Sequence, residues 1–399
     1  MAGPDGDTSC ETEDAAEAAG LSYVSEGEPG IARHRQGKGF RYVRHDGRKV
    51  ADAPTLKRIR TLAIPPAWTE VWICARANGH IQSTGRDAKG RKQYRYHSDF
   101  RDLRESAKYE HIMTFARLLP TLRGQVAEHM AMRGLGREKV LATVVHLLES
   151  TLIRIGNDDY AKQNQSYGLT TLRDRHVAIN GSELRFQFKG KSGKTWRLGL
   201  KDRRVANVVR ACQDLPGQDL FQYLDSDEVQ HSVSSSDVNA YLRNITGQNI
   251  TAKDFRTWAG TLLAALALQE FEAFDSEAGA KRNVKAAIER VAKRLGNTPT
   301  ICRKCYVHPE VLSTYIEGSL LLNIKEEAED ELRQNLAQLR PEEAAVVSLL
   351  EARLRKISRS DGLRDVDRRD AVASPKVRRS STKHRRRKAR PNGDNVLPS

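Results

Sequence analysis

No stretch of this 399-residue chain approaches the roughly 18 uninterrupted apolar residues that read as a membrane span. Its start is acidic and carries no apolar core of a secretory signal. Membrane insertion and export are therefore not expected, and the sequence points to a reducing compartment inside a cell. Cysteine is sparse: Cys10, Cys74, Cys212, Cys302 and Cys305 form an odd, scattered set that gives no disulfide framework. Cys302 and Cys305 make a single C-x-x-C with His308 following, but a structural zinc site draws four ligands, usually from two such pairs, and there is no second pair. No metal is expected. A Walker-type phosphate loop and a dense carboxylate cluster are missing as well.

What the chain has is positive charge. Its net charge is +16, with 39% hydrophobic and 30% charged residues, a soluble globular composition. Residues 1–20 hold six acids and no base, residues 376–390 hold nine Lys or Arg and no acid, and Asp394 adds one more acid, so residues 21–375 retain +14. A basic tail alone could be an address label or a loose arm. A basic body implies a surface for a polyanion, and nucleic acid is the natural partner.

Patterning divides the chain into five parts. Residues 1–21 are small and acidic and are expected to be disordered. Residues 22–105 read as a β-rich N-terminal domain: 39–43, 71–75 and 92–97 are strand-like, and a helix fits 54–62 before Pro65-Pro66. From 106 the period becomes helical, with Ile112, Phe115, Ala116 and Leu119, then Val140, Val144, Leu147 and Leu148 in a run closed by Gly156. Strands at 177–179, 183–188 and 195–200 form a short β interlude. Helices resume with a buried Ala/Leu-rich stretch at 259–268 and a stripe of Val284, Ile288, Val291 and Leu295 ended by Gly296. Residues 106–325 thus read as a mainly helical catalytic domain, 326–357 as a helical extension and 358–399 as a basic disordered tail. The fold class is α+β.

Several residues could carry chemistry. The run from Gly79 to His97 mixes bases, glycines and aromatics, and its last strand places Gln93 and Arg95 on one face, Tyr94 and Tyr96 on the other. Gln can read adenine edges while Arg, Lys and Tyr reach phosphates; a solvated basic hairpin with two core tyrosines explains the same residues. Arg154 ends an apolar helix, where complementing the helix dipole would suffice. Arg256 lies near a helix N-terminus, which disfavours a cation unless an anion shares the site. Lys191 occupies a Gly-flanked turn, a position lysines usually hold only for exposure. Tyr306 sits between Pro299 and Pro309, with Arg303 and Lys304 placing positive charge around its phenol. Among 11 tyrosines that alone does not single it out.

In order and context together, these segments resemble the type IB DNA topoisomerases of the poxvirus-like and bacterial kind. The resemblance rests on Gly-Arg-Asp-Ala-Lys-Gly-Arg-Lys-Gln-Tyr-Arg-Tyr ending at Tyr96, Arg154-Ile155-Gly156, Tyr167-Gly168-Leu169-Thr170-Thr171-Leu172, the Lys191 turn, Lys253-Asp254-Phe255-Arg256-Thr257 and the Tyr306 block, over residues 22 to 320. It implies a small β-rich domain and a larger, mainly helical catalytic domain with a short antiparallel sheet, closing as a monomeric clamp around duplex DNA, preferably supercoiled. It assigns catalytic roles to Tyr306, Arg154, Lys191 and Arg256. Asn297 stands where the poxvirus pattern has histidine, and bacterial relatives look similar in carrying Asn there. DNA contacts are expected from Arg91, Lys92, Gln93, Tyr94, Tyr96, Tyr160 and Lys253.

The implied mechanism is attack of the Tyr306 phenol on a DNA phosphate, giving a 3′-phosphotyrosyl enzyme and a free 5′-OH. Arg154, Arg256 and the neutral donor Asn297 would stabilise the five-coordinate state, and Lys191 would protonate the leaving oxygen. Resealing reverses the step, so neither ATP nor another cofactor is expected. The bacterial look of the chain points to the nucleoid in the cytoplasm. A tyrosine recombinase uses a related constellation but places His where this chain has Lys253. A noncatalytic architectural DNA-binding protein would account for the charge but not for the full set of nucleophile, clamp and acid.

Overall fold

The computed structural model describes residues 13, 15–271, 274–320 and 339–356. It divides into two compact units, Met1–Ser348 and Leu349–Ser399. Of the second, only residues 349–356 are described, and they are helical.

The N-terminal part of the first unit is a five-stranded antiparallel sheet of β1 (Gly30–Gln36), β2 (Gly39–Arg44), β3 (Thr69–Cys74), β4 (Ile81–Arg86) and β5 (Lys92–Tyr96), in the order β2-β1-β3-β4-β5. Helix α1 (Ala53–Thr61) covers it, and Ile31, Val50, Ile59, Val71 and Ile73 form the core between them. The strands expected at 39–43, 71–75 and 92–97 and the helix expected at 54–62 are β2, β3, β5 and α1. Strands β1 and β4 had no alternating apolar signal. In β1 only Ile31 is buried. In β4 the buried residues are Gln82, Ser83, Thr84 and Gly85, none of them a large apolar side chain, with the Gln82 amide donating to the carbonyls of Gly79 (2.8 Å) and Ala77 (3.0 Å) and accepting from Arg58.

The acidic start requires a correction. Residues 15–18 are helical, and Ala16 and Leu21 pack against Phe100, so the end of the 1–21 segment is ordered by burial of small apolar side chains. Residues 1–12 and 14 lie outside the described residues.

Helix α2 (Ser98–Ala131) follows β5 directly and runs unbroken through the boundary expected at 105/106, which therefore falls inside an element rather than in a loop. Helix α3 (Arg137–Thr151) is almost wholly buried, from Val140 to Leu148. It ends at Leu152 in the left-handed region (φ 59), not at Gly156 as the sequence suggested. Helix α4 (Asp158–Asn164) is short. The β interlude is the antiparallel sheet β6 (Val177–Asn180), β7 (Glu183–Lys189) and β8 (Thr195–Lys201), as expected. Then come α5 (Arg203–Gln213), a small hairpin of β9 (Gln222–Leu224) and β10 (Gln230–Ser232), α6 (Ser235–Thr246), α7 (Ala252–Gln269), α8 (Glu277–Leu295), α9 (Pro299–Cys305) and α10 (Pro309–Ile316). Gly296 caps α8 at φ 64, a backbone state that suits glycine. Of the expected extension, residues 341–356 are helical; 326–338, 357 and the tail 358–399 lie outside the described residues.

Candidate active site

Five loops and caps deliver the expected catalytic side chains. Arg154 follows the C-terminus of α3, and Asn297 follows Gly296 at the end of α8. Arg256 lies in the second turn of α7, and Tyr306 is the C-cap of α9. Lys191 lies in the turn between β7 and β8, where Ser192 has φ 64.

Arg256 is the anchor. It is 3% exposed, and its two terminal nitrogens donate to the Leu152 carbonyl and, at 2.7 Å, to the Leu295 carbonyl. These are the C-terminal ends of α3 and α8, each carrying the negative end of a helix dipole and unsatisfied carbonyls. The left-handed turn at Leu152 is thus where α3 ends and hands a carbonyl to the guanidinium. Burial, reinforced by the neighbouring Arg154 charge, lowers the Arg256 pKa to about 10, with Tyr306 opposing the shift. At neutral pH it remains a cation.

The guanidinium carbon of Arg256 lies 5.2 Å from the centre of the Tyr306 ring. Arg256 stacks on the phenol ring, and the charges of both arginines are felt by Tyr306. Burial holds Arg154 below the ordinary arginine range, and Tyr306 again acts against it.

Asn297 is 9% exposed, and its side-chain oxygen accepts from Arg154. That bond fixes which way the amide points. Its Nδ2 and the Nε of Arg256 are buried donors without a partner among the described residues. Orphaned buried donors are costly unless something meets them, and these two lie on Arg256 and on the amide that Arg154 holds. An oxyanion is the group that would satisfy both. Lys191 lines a cleft of about 290 Å³ with Arg154, Ile155, Gly156, Asn157, Tyr160, Ser166, Tyr167 and Gly168. Three residues on, Lys194 donates to the Asn297 backbone carbonyl at 3.3 Å.

The expected DNA-contact residues fall into two groups. Tyr94 and Tyr96 are 42% and 37% exposed and stack on one face of β5, their ring centres 5.9 Å apart. Arg91, Lys92 and Gln93 are instead engaged within the protein: Arg91 with Asp87 at 2.7 Å, Lys92 with Glu26, and the Gln93 amide donates to Asp87 at 3.2 Å. Tyr160 borders the Lys191 cleft, and the Arg91 charge reaches it from the hairpin. Lys253 is exposed in the first turn of α7.

Sequence reading missed several residues that shape the site. A Cβ on Gly260 would overlap the Tyr306 carbonyl oxygen and come within 3.0 Å of the Tyr306 Cβ, so only glycine lets α7 approach the tyrosine this closely. The signal was present, an isolated glycine inside a helical pattern. Lys108, Tyr109 and Thr261 bond the carbonyls around Tyr306, and nothing in their local sequence marks them. Cys302 is buried, which raises its thiol to about 11, and no cluster of three or more His, Cys, Asp or Glu able to hold a metal ion occurs among the described residues.

Comparison with known proteins adds a family context. The profile of the eukaryotic DNA topoisomerase I catalytic core matches residues 97–336. That of the bacterial DNA topoisomerase IB N-terminal domain matches residues 39–87. The chain is similar to the DNA topoisomerase 1B of Acanthamoeba polyphaga mimivirus, 31% identical over 293 residues that make up 72% of this chain and 87% of the relative. To the DNA topoisomerase 1B of vaccinia virus it is 20% identical over 277 residues, 68% of this chain and 85% of the relative.

Proposed function

Because this chain belongs to the type IB DNA topoisomerases, we propose that it relaxes supercoiled duplex DNA by transesterification through Tyr306. The phenol oxygen attacks a DNA phosphorus. The P–O bond to the 5′ carbon breaks, and the product is a 3′-phosphotyrosyl ester with a free 5′-OH strand. The observation that carries this reading is the stacking of Arg256 on the Tyr306 ring together with two buried, unpartnered donors, Arg256 Nε and Asn297 Nδ2, the latter on an amide held by Arg154. Charge builds on the nonbridging oxygens in the five-coordinate state, and donors fixed in advance for that charge lower the barrier. Arg256 is fixed by the ends of two helices and Asn297 by Arg154.

Lys191 is the general acid for the leaving 5′ oxygen. Its turn is exposed and lines the same cleft as Arg154, so it can approach a strand lying there. Proton donation of this kind gives about 10² to 10⁴ in rate. Because the ester bond conserves the energy of the broken one, the 5′-OH reseals the strand by the reverse step. No nucleotide hydrolysis enters, and the arginines and lysine supply the charge neutralisation. Tyr94, Tyr96, Tyr160 and Lys253 are the DNA contacts, joined by Arg91, Lys92 and Gln93 once DNA phosphates compete with Asp87 and Glu26. The β-rich part and the helical part close as a clamp in a monomer, and the strand turns under torque between cleavage and resealing. With a +14 body, the enzyme resides on the nucleoid.

The test is relaxation of supercoiled plasmid in EDTA without ATP. Wild type is expected to relax it and to leave a covalent protein–DNA adduct on denaturation, and Tyr306→Phe to do neither. A wild type that binds DNA but yields no adduct would leave the architectural reading in its place.

A further inference from the structure

The peptide units around Tyr306 are held by groups that the chemistry above does not use. Tyr306 ends α9, and the next helix starts only at Pro309, so the carbonyls of residues 305 to 307 cannot all be satisfied by helix continuation. Each has a donor from elsewhere. Lys108 Nζ donates to the Cys305 carbonyl at 2.7 Å. Tyr109 OH donates to the Val307 carbonyl at 3.3 Å. Thr261 Oγ lies 3.5 Å from the Tyr306 carbonyl, sharing its single proton between that oxygen and the nearer Thr257 carbonyl at 2.9 Å, while accepting the His308 N–H at 3.1 Å. The Tyr109 ring also lies 4.5 Å from the buried His308 ring. The nucleophile is therefore pinned one peptide before and one peptide after itself by neighbouring residues of a single helix, α2.

That helix is the continuation of the strand bearing Tyr94 and Tyr96. Along one of its faces, at four-residue spacing, stand Phe100, Arg104 and Lys108. Tyr96 packs on Phe100 with ring centres 5.5 Å apart, and Arg104 lies 5.8 Å over Phe100. Lys108 lies ten residues beyond the start of the helix at Ser98, about 15 Å along its axis. Three residues beyond Lys108, His111 bonds Asp254 at 3.3 Å, two residues before Arg256.

We propose that Lys108 and Tyr109 are positioning residues for the Tyr306 nucleophile, a latch that fixes its backbone to α2 and hence to the DNA-facing strand β5. The proposal rests on the reading of Tyr306 as nucleophile. Neither side chain acts on the reacting atoms. Each restrains a peptide whose displacement would swing the phenol off the line of attack, and a misplacement of 1 Å can cost about 10²-fold in rate.

The experiment is single-turnover cleavage of a nicked duplex that loses its leaving strand once cut, with protein in excess, for wild type, Lys108→Met, Lys108→Arg and Tyr109→Phe. The dissociation constant for the same duplex and the thermal midpoint are measured alongside. Lys108→Met and Tyr109→Phe are expected to lower the cleavage rate constant at saturation by about tenfold or more, with the dissociation constant and midpoint little changed. Lys108→Arg, which can still donate to the carbonyl, should restore most of the rate. Rates within twofold of wild type in both variants would overturn the latch. So would a defect that disappears at saturating protein, which would mark a DNA contact, or Lys108→Arg no better than Lys108→Met, which would mark lost packing. If wild type formed no Tyr306-dependent adduct, the nucleophile reading itself would fall and the latch with it.

Discussion

In the proposed mechanism Asn297 takes with a neutral amide the place of a cation, and the arrangement around it bears on how it would do so. Arg154 takes its oxygen, so the N–H₂ end can only face away from that arginine. Removing one preorganised oxyanion donor typically costs about 10² to 10³ in rate. Asn297→Ala is therefore expected to lower single-turnover cleavage by about 10²-fold. Asn297→Asp should lower it further, because a carboxylate would hold Arg154 as an ion pair and repel the phosphate. Rates for both within threefold of wild type would remove Asn297 from the site. Its candidacy, like that of Arg154, Arg256 and Tyr306, was legible in the sequence only through the order of the motifs. Arg154 alone had an ordinary explanation and Tyr306 was one tyrosine among 11, whereas Arg256, ill placed at a helix N-terminus, is met by the C-terminal ends of two other helices. What no motif could reveal is that its terminal nitrogens each donate to a helix-end carbonyl, Leu152 and Leu295, while the buried Nε has no partner among the described residues.

Among the elements, α7 shows how one position joins packing to chemistry. Gly260→Ala should leave α7 intact or strengthen it, since alanine is the better helix former by about 1 kcal/mol. Its methyl group would nevertheless displace the Tyr306 backbone. The expected outcome is unchanged helicity by circular dichroism with cleavage reduced by about 10²-fold; full activity would show that the loop yields freely. The α2–α7 contact carries a pH dependence. The hydrogen bond that His111 donates to Asp254, with burial opposing, raises His111 above its ordinary 6.5. Its stabilising contribution is complete below that value and is lost as pH rises through the raised one. The wild-type thermal midpoint should therefore fall more than that of His111→Gln between pH 6.5 and 8, and parallel curves would refute the link. Elements with a clean period were readable beforehand, β7 and α8 among them. Strand β4 was not, because it buries no large apolar side chain and its Gln82 depends on hydrogen bonds from distant residues such as Arg58. Lys108 and Tyr109 were unreadable for a related reason, since their partners lie almost 200 residues further on.

For the whole molecule, charge placement governs how DNA is captured. Deleting residues 358–399 removes the run of nine bases and should weaken DNA binding, with a shallower dependence of affinity on salt. Cleavage at saturating protein and low salt should persist; its loss would mean that the tail takes part in the reaction. The division into a β-rich and a helical part was legible from the change of period, but the junction was not, because α2 continues through it. The outer strands of the five-stranded sheet, β2 and β5, have a further consequence. The outer side of β2 is met at Tyr42 and Arg44 by Val50 and Arg48, whereas β5 has no further strand beside it among the described residues, and such edges invite pairing with another chain. Arg95 on β5 sets like charge against like when two copies approach along that edge. A charge suited to a polyanion thus also protects the protein from fibrillar self-association, and a variant neutralised there to loosen its grip on DNA would be the one prone to aggregate.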